Sequence, residues 1–362
     1  MSEFQVRRDD IQTTRVVETS DADTESRLAD GAARARIERF AFTANNVTYA
    51  VAGDILGYWQ FFPPTDGDGW GMMPVWGFAE IVESNAADIP VGERLFGYFP
   101  PATHLDLIPM QVSAMRFVDG TEHRSQLPQG YNTYYRVNAE PGYDAANDNL
   151  RMLLWPLHIT SFCLWDVLQD SDWYGAEQVV IVSASSKTSI GLAYALDDDE
   201  TAPPVVAITS ARNLDFVKNL GLYEESVAYE SLADINAGKP TVIVDMSGNS
   251  DVLGRLHSHL GDKMKRCINV GLTHWDERET DDRIVKERSE FFFAPTHIQR
   301  RMQDWGPDGF AERTSNFLRE TALKSRSWLQ LKKLDGLQGL ADNYLDVCNG
   351  RLAADQGLIV RL

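Results

Sequence analysis

The sequence predicts an α/β protein in which a β-rich first part precedes a doubly wound parallel sheet. Three observations carry that expectation. Residues 1–150 hold short apolar runs broken by turn residues. Residues 151–290 alternate β-branched runs with helical patterns. The chain has 362 residues and is 43% hydrophobic, enough to fill the cores of two domains.

In the first part, "FQVRRDDIQTTRVVE" alternates loosely and "RARIERFAFTANN" sets Ala, Ile and Phe at short spacings. "VWGFAEIVES" and "GERLFGYFP" read as strands. Pro63-Pro64, "DGDGWG" and Pro100-Pro101 mark loops between them. Residues 119–150 are polar and aromatic without a period, which predicts a long loop insertion.

The middle opens with a helix at "RMLLWPLHITSFCLWDVLQD". Strands follow at "QVVIVSA", "PVVAITS", "TVIVDMSG" and "RCINVGL", with helical "SIGLAYALDD", "RNLDFVKNLGL" and "SDVLGRLHSHLGD" between them. Such alternation is the pattern of a parallel sheet covered on both faces. The tail, residues 291–362, carries long helical patterns and ends on strand-like "GLIVRL".

Composition narrows the function. The formal charge of −19, from 34 Lys+Arg against 53 Asp+Glu, repels phosphate backbones, and the sequence shows no basic stripe. Nucleic acid is therefore not an expected partner. Apolar runs fall well short of the roughly 18 residues that suggest a membrane helix. "MSEFQVRRDD" has no apolar core of a signal peptide. Cys163, Cys267 and Cys348 are far apart, which suits a reducing cytoplasm and fits neither a disulfide framework nor a CxxC metal site. A cytoplasmic protein is expected.

The order of the segments resembles the medium-chain dehydrogenase/reductase superfamily, most of all its zinc-free quinone oxidoreductase and enoyl reductase branch. Residues 28–54 are similar to the opening strand pair and substrate-side loop. "PVWGFAEIVESNAADIPVGERLFGYFP" is similar to the central barrel strands, "VVIVSASSKTSIG" falls at the cofactor turn, and residues 242–272 are similar to the fourth and fifth Rossmann strands. The resemblance implies a GroES-like β-barrel substrate domain at 1–150 and a Rossmann-type NADP-binding domain at 151–290. It implies that 291–362 return to the GroES-like domain, with the cofactor in the cleft between the two.

The turn is the first candidate site. In the resembled branch glycines recur at every third place before the helix; aligned on Gly191, those places here are Ser185 and Thr188. The missing glycines forgo a tight turn and a close backbone approach to pyrophosphate. Hydroxyls and Lys187, at a helix N-terminus, offer anion binding in return. A polar helix cap would use the same residues.

After the next strand, "ITSARN" offers Ser210 and Arg212 where NAD-binding relatives carry an acidic residue. A guanidinium beside hydroxyls suits a 2′-phosphate, hence NADPH, although an exposed arginine at a helix start is common. Ser247, Gly271 and Leu272 fall at the ends of later strands, on the nicotinamide side.

On the substrate side, Tyr49 stands four residues before Gly53, as a tyrosine does in the reductases. The resemblance implies that its hydroxyl bonds the substrate carbonyl or protonates the α-carbon; a tyrosine packed in the barrel is the alternative. Asn46 either orients substrate or closes a turn. Tyr58, Trp59 and Phe293 are candidates to wall a hydrophobic pocket, although "FFF" also suits a core. His158 reads as a core histidine. Neither the Tyr49 loop nor Trp76-Gly77-Phe78-Ala79-Glu80 holds the Cys and His of the zinc-dependent branch, so no metal is expected.

The resulting expectation is an NADPH-dependent, zinc-free oxidoreductase acting on a small hydrophobic carbonyl, enone or quinone. A non-redox lyase-type enzyme and a non-catalytic NADPH-binding protein stay open beside it. The residues leave the oligomer open too, and relatives commonly form a homodimer through the Rossmann sheet edge.

Overall fold

The computed structural model describes residues 1–18, 27–64, 67–271 and 281–362. The chain divides into two compact units, Met1–Leu153 with Leu329–Leu362, and Leu154–Trp328.

The first unit is antiparallel except where its last two strands pair in parallel. β1 (Ser2–Arg7) pairs with β2 (Thr14–Glu18) and with β4 (Trp70–Gly71). β3 (Ala33–Phe42) pairs with β5 (Val75–Ser84), and β5 with β6 (Arg94–Phe99). β7 (His104–Leu107) lies along β3. β8 (Pro109–Met110), β9 (Arg116–Asp119) and β10 (Thr133–Arg136) extend the sheet beyond β6. The loop expected at 119–150 thus contributes β10, which sits between β6 and β9. Its four residues are too few to show a period, and the sheet supplies the partners.

Part of that insertion is anchored by a buried ion pair. Arg124 donates to Asp119 at 2.6 Å, with both side chains nearly inaccessible, and to the Phe61 carbonyl at 3.2 Å. Asp119 also accepts from the Ile108 amide and the Thr121 hydroxyl. A buried pair needs such extra bonds to offset its desolvation.

Residues 44–51 form α1 (Ala44–Val51), so the expected substrate-side loop is helical around Tyr49. Thr43 accepts from the Asn45 amide, and Asn46 accepts from the Thr43 amide and donates to the Pro74 carbonyl. That capping starts the helix where periodicity gave no sign of one.

The second unit opens with α2 (Asp148–Asp170), whose first residues lie in the first unit. β11 (Gln178–Val182), β12 (Val205–Thr209), β13 (Glu225–Ala228), β14 (Thr241–Asp245), β15 (Met264–Asn269) and β16 (Ser289–Phe291) form a parallel sheet. Among the described residues its order is β13-β12-β11-β14-β15-β16. Helices α3 (Lys187–Asp197), α4 (Leu214–Asn219) and α5 (Ser250–Leu260) alternate with the strands. Val179 and Ile181 pack with Leu164 and Leu168 of α2 and Leu192 and Leu196 of α3. Val180 and Val182 pack with Leu253 and Leu256 of α5 on the other face. A strand buried on both faces reads as a continuous apolar run, as "VVIV" does.

α6 (Ala294–Lys324) also belongs to the second unit, which corrects the expected return at residue 291. Phe310 and Phe317 pack on Phe162 of α2, at ring-centroid distances of 6.4 and 5.7 Å. Asp166 of α2 accepts from His297 and Arg301, each at 2.6 Å. A left-handed Gly306 before Pro307 breaks the helix, and its residues on each side of the break pack on α2.

The chain rejoins the first unit at Leu329. β17 (Gln330–Asp335), α7 (Gly336–Cys348) and β18 (Gln356–Arg361) follow, with β18 antiparallel to β3. Tyr344 of α7 fills the core against Phe4 and Phe42 and bonds the Ile11 carbonyl.

Candidate functional site

The candidate cofactor turn joins the buried strand β11 to α3. Ser183 takes a left-handed φ of 64°, at a cost of about 1–2 kcal/mol for a residue with a side chain. Its carbonyl is held by the Ser186 amide and the Ser189 hydroxyl. Ser186 is the helix cap and accepts from the Ser189 amide. Hydroxyls thus close a turn that glycines would otherwise make.

The three expected phosphate-binding side chains part company here. Ser185 is 9% exposed, and its oxygen accepts from Thr209 at 3.1 Å and Asn213 at 3.0 Å. It ties the β11 turn to the β12 turn and does not face outward. Lys187 and Thr188 are half-buried in the first turn of α3, where amides and dipole favour an anion. Ser161 of α2 donates to the Thr188 carbonyl at 2.7 Å and holds that turn in place.

Gly191 is a packing residue. A Cβ there would lie 2.6 Å from Ser161 Oγ and 2.7 Å from His158 Cδ2. The glycine lets α3 press onto α2, a role distinct from cofactor contact. His158 is buried and bonds the Thr321 hydroxyl at 2.8 Å. Burial lowers its pKa to about 3, so the imidazole is neutral.

At the end of β12, the Ser210 hydroxyl is buried without a hydrogen-bond partner among the described residues, and Arg212 is exposed two residues on. At the end of β14, Asp245 accepts from the Ser247 amide and hydroxyl and the Gly248 amide, at 2.7–2.9 Å. Burial raises the Asp245 pKa despite those bonds. Ser247 is therefore turned toward its own strand end. Gly271 meets it from β15: a Cβ there would stand 2.6 Å from the Met246 carbonyl and 3.1 Å from the Gly248 nitrogen. Only a glycine allows that approach. Leu272 lies outside the described residues.

Phe291 and Phe293 stack at 6.5 Å with both rings half-buried, while Phe292 between them packs into the core beside His297. The triple phenylalanine therefore divides between core and a partly open ledge.

In the first unit, Tyr49 is at the centre of an aromatic cluster. Its ring lies 4.5 Å from Tyr58, 5.8 Å from Tyr98 and 6.5 Å from Tyr131. Its hydroxyl faces Trp76, Asn45 and Tyr98, and burial pushes its pKa far above that of a free phenol. Tyr49 is accordingly a neutral hydrogen-bond donor. Tyr58 shares a 3.1 Å hydrogen bond with Tyr131.

Two expectations are corrected here. Asn46 spends its amide on the α1 cap and on Pro74, so Asn45 is the residue that faces the Tyr49 hydroxyl. Trp59, 6% exposed, belongs to the hydrophobic core with Phe4, Val75 and Phe99 and does not wall a pocket. Tyr98 and Tyr131 escaped the sequence reading because a strand and a distant insertion bring them in. Aromatic enrichment in residues 119–150 was the one available signal.

The family model that matches this chain is DUF2855, a protein family of unknown function, and it matches residues 40–353. The chain belongs to DUF2855. No curated protein matches it by sequence. Among solved structures, this DUF2855 chain is similar to CurA from Vibrio vulnificus in complex with NADPH, with a TM-score of 0.65 and 12% identity over 100% of this chain and 99% of that one. An enoyl thioester reductase from Candida tropicalis, in a mutant form, gives a TM-score of 0.56 at 10% identity, covering 100% and 99%. The yhdH oxidoreductase from Salmonella enterica in complex with NADP gives 0.54 at 13% identity, covering all of both chains. The fold of this DUF2855 protein is thus the fold of these structures, a GroES-like domain plus a Rossmann-type domain.

Proposed function

We propose that this chain is an NADPH-dependent, zinc-free reductase of an activated carbonyl, enone or quinone. The observation that carries the reading is where the capped N-terminus of α3 falls. It follows β11, between β12 and β14, where the strand order reverses and doubly wound sheets bind their ligands. Lys187 and Thr188 at that terminus suit the pyrophosphate. Arg212, two residues after a Ser210 hydroxyl that has no hydrogen-bond partner among the described residues, suits a 2′-phosphate. Ser247 and Gly271 shape the nicotinamide side. Similar folds bind NADPH in CurA and NADP in yhdH.

Bound NADPH supplies the hydride. Tyr49, kept neutral by burial, donates a hydrogen bond to the carbonyl oxygen as negative charge grows there. Tyr58, packed beside Tyr49, offers apolar surface to the substrate. The free thiols Cys163, Cys267 and Cys348 suit work in the cytoplasm.

Following NADPH oxidation at its near-ultraviolet absorbance tests the reading, with benzylideneacetone, crotonyl-CoA and menadione as acceptors. Turnover of at least one acceptor is expected, with kcat falling on the order of 10²-fold in Tyr49→Phe. Binding of NADPH without any oxidation would leave a cofactor-binding protein and overturn the reductase.

A further inference from the structure

We infer that the second unit carries a binding site for a neutral, flat aromatic molecule with a carbonyl acceptor, in a cavity apart from the candidate cofactor turn. The inference does not rest on the reductase reading.

The cavity opens where helices end. α4 stops after six residues, and a left-handed Gly221 turns the chain just beyond it. α6 ends at Lys324, and a short turn leads on to Trp328. Between these ends and α3 lies a cavity of about 460 Å³, a size that suits a small molecule. Tyr194 of α3, Phe216 of α4, Leu220 and Trp328 line it, with Asn219 and Lys324 at its exposed edge. All of them belong to the second unit. Tyr194 stands about two helical turns after Lys187, roughly 10 Å along α3, so the cavity is distinct from the cofactor turn.

The walls decide the shape of the ligand. The Phe216 and Trp328 rings meet edge to face, 5.7 Å apart at 69°. Rings set in this way make a corner, where a third flat ring stacks on one and meets the edge of the other. The Trp328 indole donates to the Tyr194 hydroxyl at 2.8 Å and ties the two walls together.

The polar groups decide its chemistry. Tyr194 is 5% exposed, and its hydroxyl accepts the indole bond while its own proton goes to no group among the described residues. Lys324 lies over the Tyr194 ring and donates to both Asp198 oxygens, at 2.7 and 2.8 Å. Asp198 thus balances the one cation that lines the cavity. A carboxylate entering there would lose hydration for no net counter-charge, whereas a carbonyl oxygen needs only the Tyr194 proton.

Equilibrium dialysis of the full-length protein with coumarin tests this, with coumarin-3-carboxylate as the anionic counterpart. Coumarin is expected to bind with a Kd below about 1 mM, and the carboxylate more weakly. Tyr194→Phe keeps the ring and should weaken coumarin about threefold to tenfold, the loss of one neutral hydrogen bond. Phe216→Leu and Trp328→Leu, each at a half-buried wall, should weaken it about tenfold. Melting temperatures close to that of wild type establish that the variants are folded. About 1 mM NADPH should leave coumarin bound, an arm that needs no variant. Wild type that binds no coumarin, or binds the carboxylate more tightly, overturns the inference. So does coumarin binding that NADPH displaces, or that folded Tyr194→Phe and wall variants retain in full.

Discussion

Gly191 of α3 lies against His158 of α2 so closely that a Cβ would stand 2.7 Å from the imidazole. The helix that presents Lys187 and Thr188 is therefore seated by a glycine. Gly191→Ala is expected to force that contact apart at a cost of about 1–3 kcal/mol. Thermal unfolding followed by circular dichroism should show the midpoint of the second unit lowered by several degrees. An unchanged midpoint would mean that His158 and Ser161 yield freely.

Asp166 is held by two donors from α6. Burial works against its ionisation, but the bonds from His297 and Arg301 outweigh that and keep its pKa below the ordinary carboxylate value. Asp166→Ala leaves Arg301 nearly buried without its best partner, a loss of about 3 kcal/mol. Asp170→Ala, at a half-exposed partner of the same arginine, is expected to cost less than about 1 kcal/mol. Urea midpoints of the two variants decide the matter, and equal losses would contradict it.

Two histidines make stability depend on pH. Burial lowers His158 to about 3 and, with Arg288 nearby, His257 to about 4. The unfolded chain binds protons at both sites below pH about 6.5, while the folded chain resists until its own lower values. Their stabilisation is therefore complete above pH about 6.5 and is lost as the pH falls toward 4, at up to about 1.4 kcal/mol per unit for each. Urea midpoints between pH 6.5 and 5 should fall for wild type. They should fall less steeply for His257→Asn, whose amide oxygen can still accept from the Val285 amide. Parallel slopes would contradict the assignment.

Arg212 is expected to choose between cofactors. Arg212→Gln should weaken NADPH binding about tenfold to a hundredfold, the loss of a charge-assisted bond, and leave NADH binding unchanged. Paired titrations with the two cofactors give the ratio. Equal weakening of both would remove Arg212 from the 2′-phosphate.

What the sequence made legible follows from which contacts are local. β11, β12, β14 and β15 could be read because "VVIV", "VVAI", "TVIV" and "RCIN" contrast with the helical patterns between them. Tyr49 could be found, but its surroundings could not: Tyr98 arrives from β6 and Tyr131 from an aperiodic insertion pinned by Arg124 and Asp119. Ser185 looked like a phosphate ligand because its bonds to Thr209 and Asn213 cross between two loops. Residues 291–328 were misassigned because the break at Gly306-Pro307 hides how both parts of α6 pack on α2. In each case the deciding partner lies far away in sequence.

The account stands most directly on whether a glycine-poor turn holds a dinucleotide. Titrating the full-length protein with NADPH, and following the change in nicotinamide fluorescence, measures that. Saturable binding well below about 1 mM is predicted, weakened about tenfold or more by Lys187→Ala. No fluorescence change with about 1 mM NADPH present would contradict it.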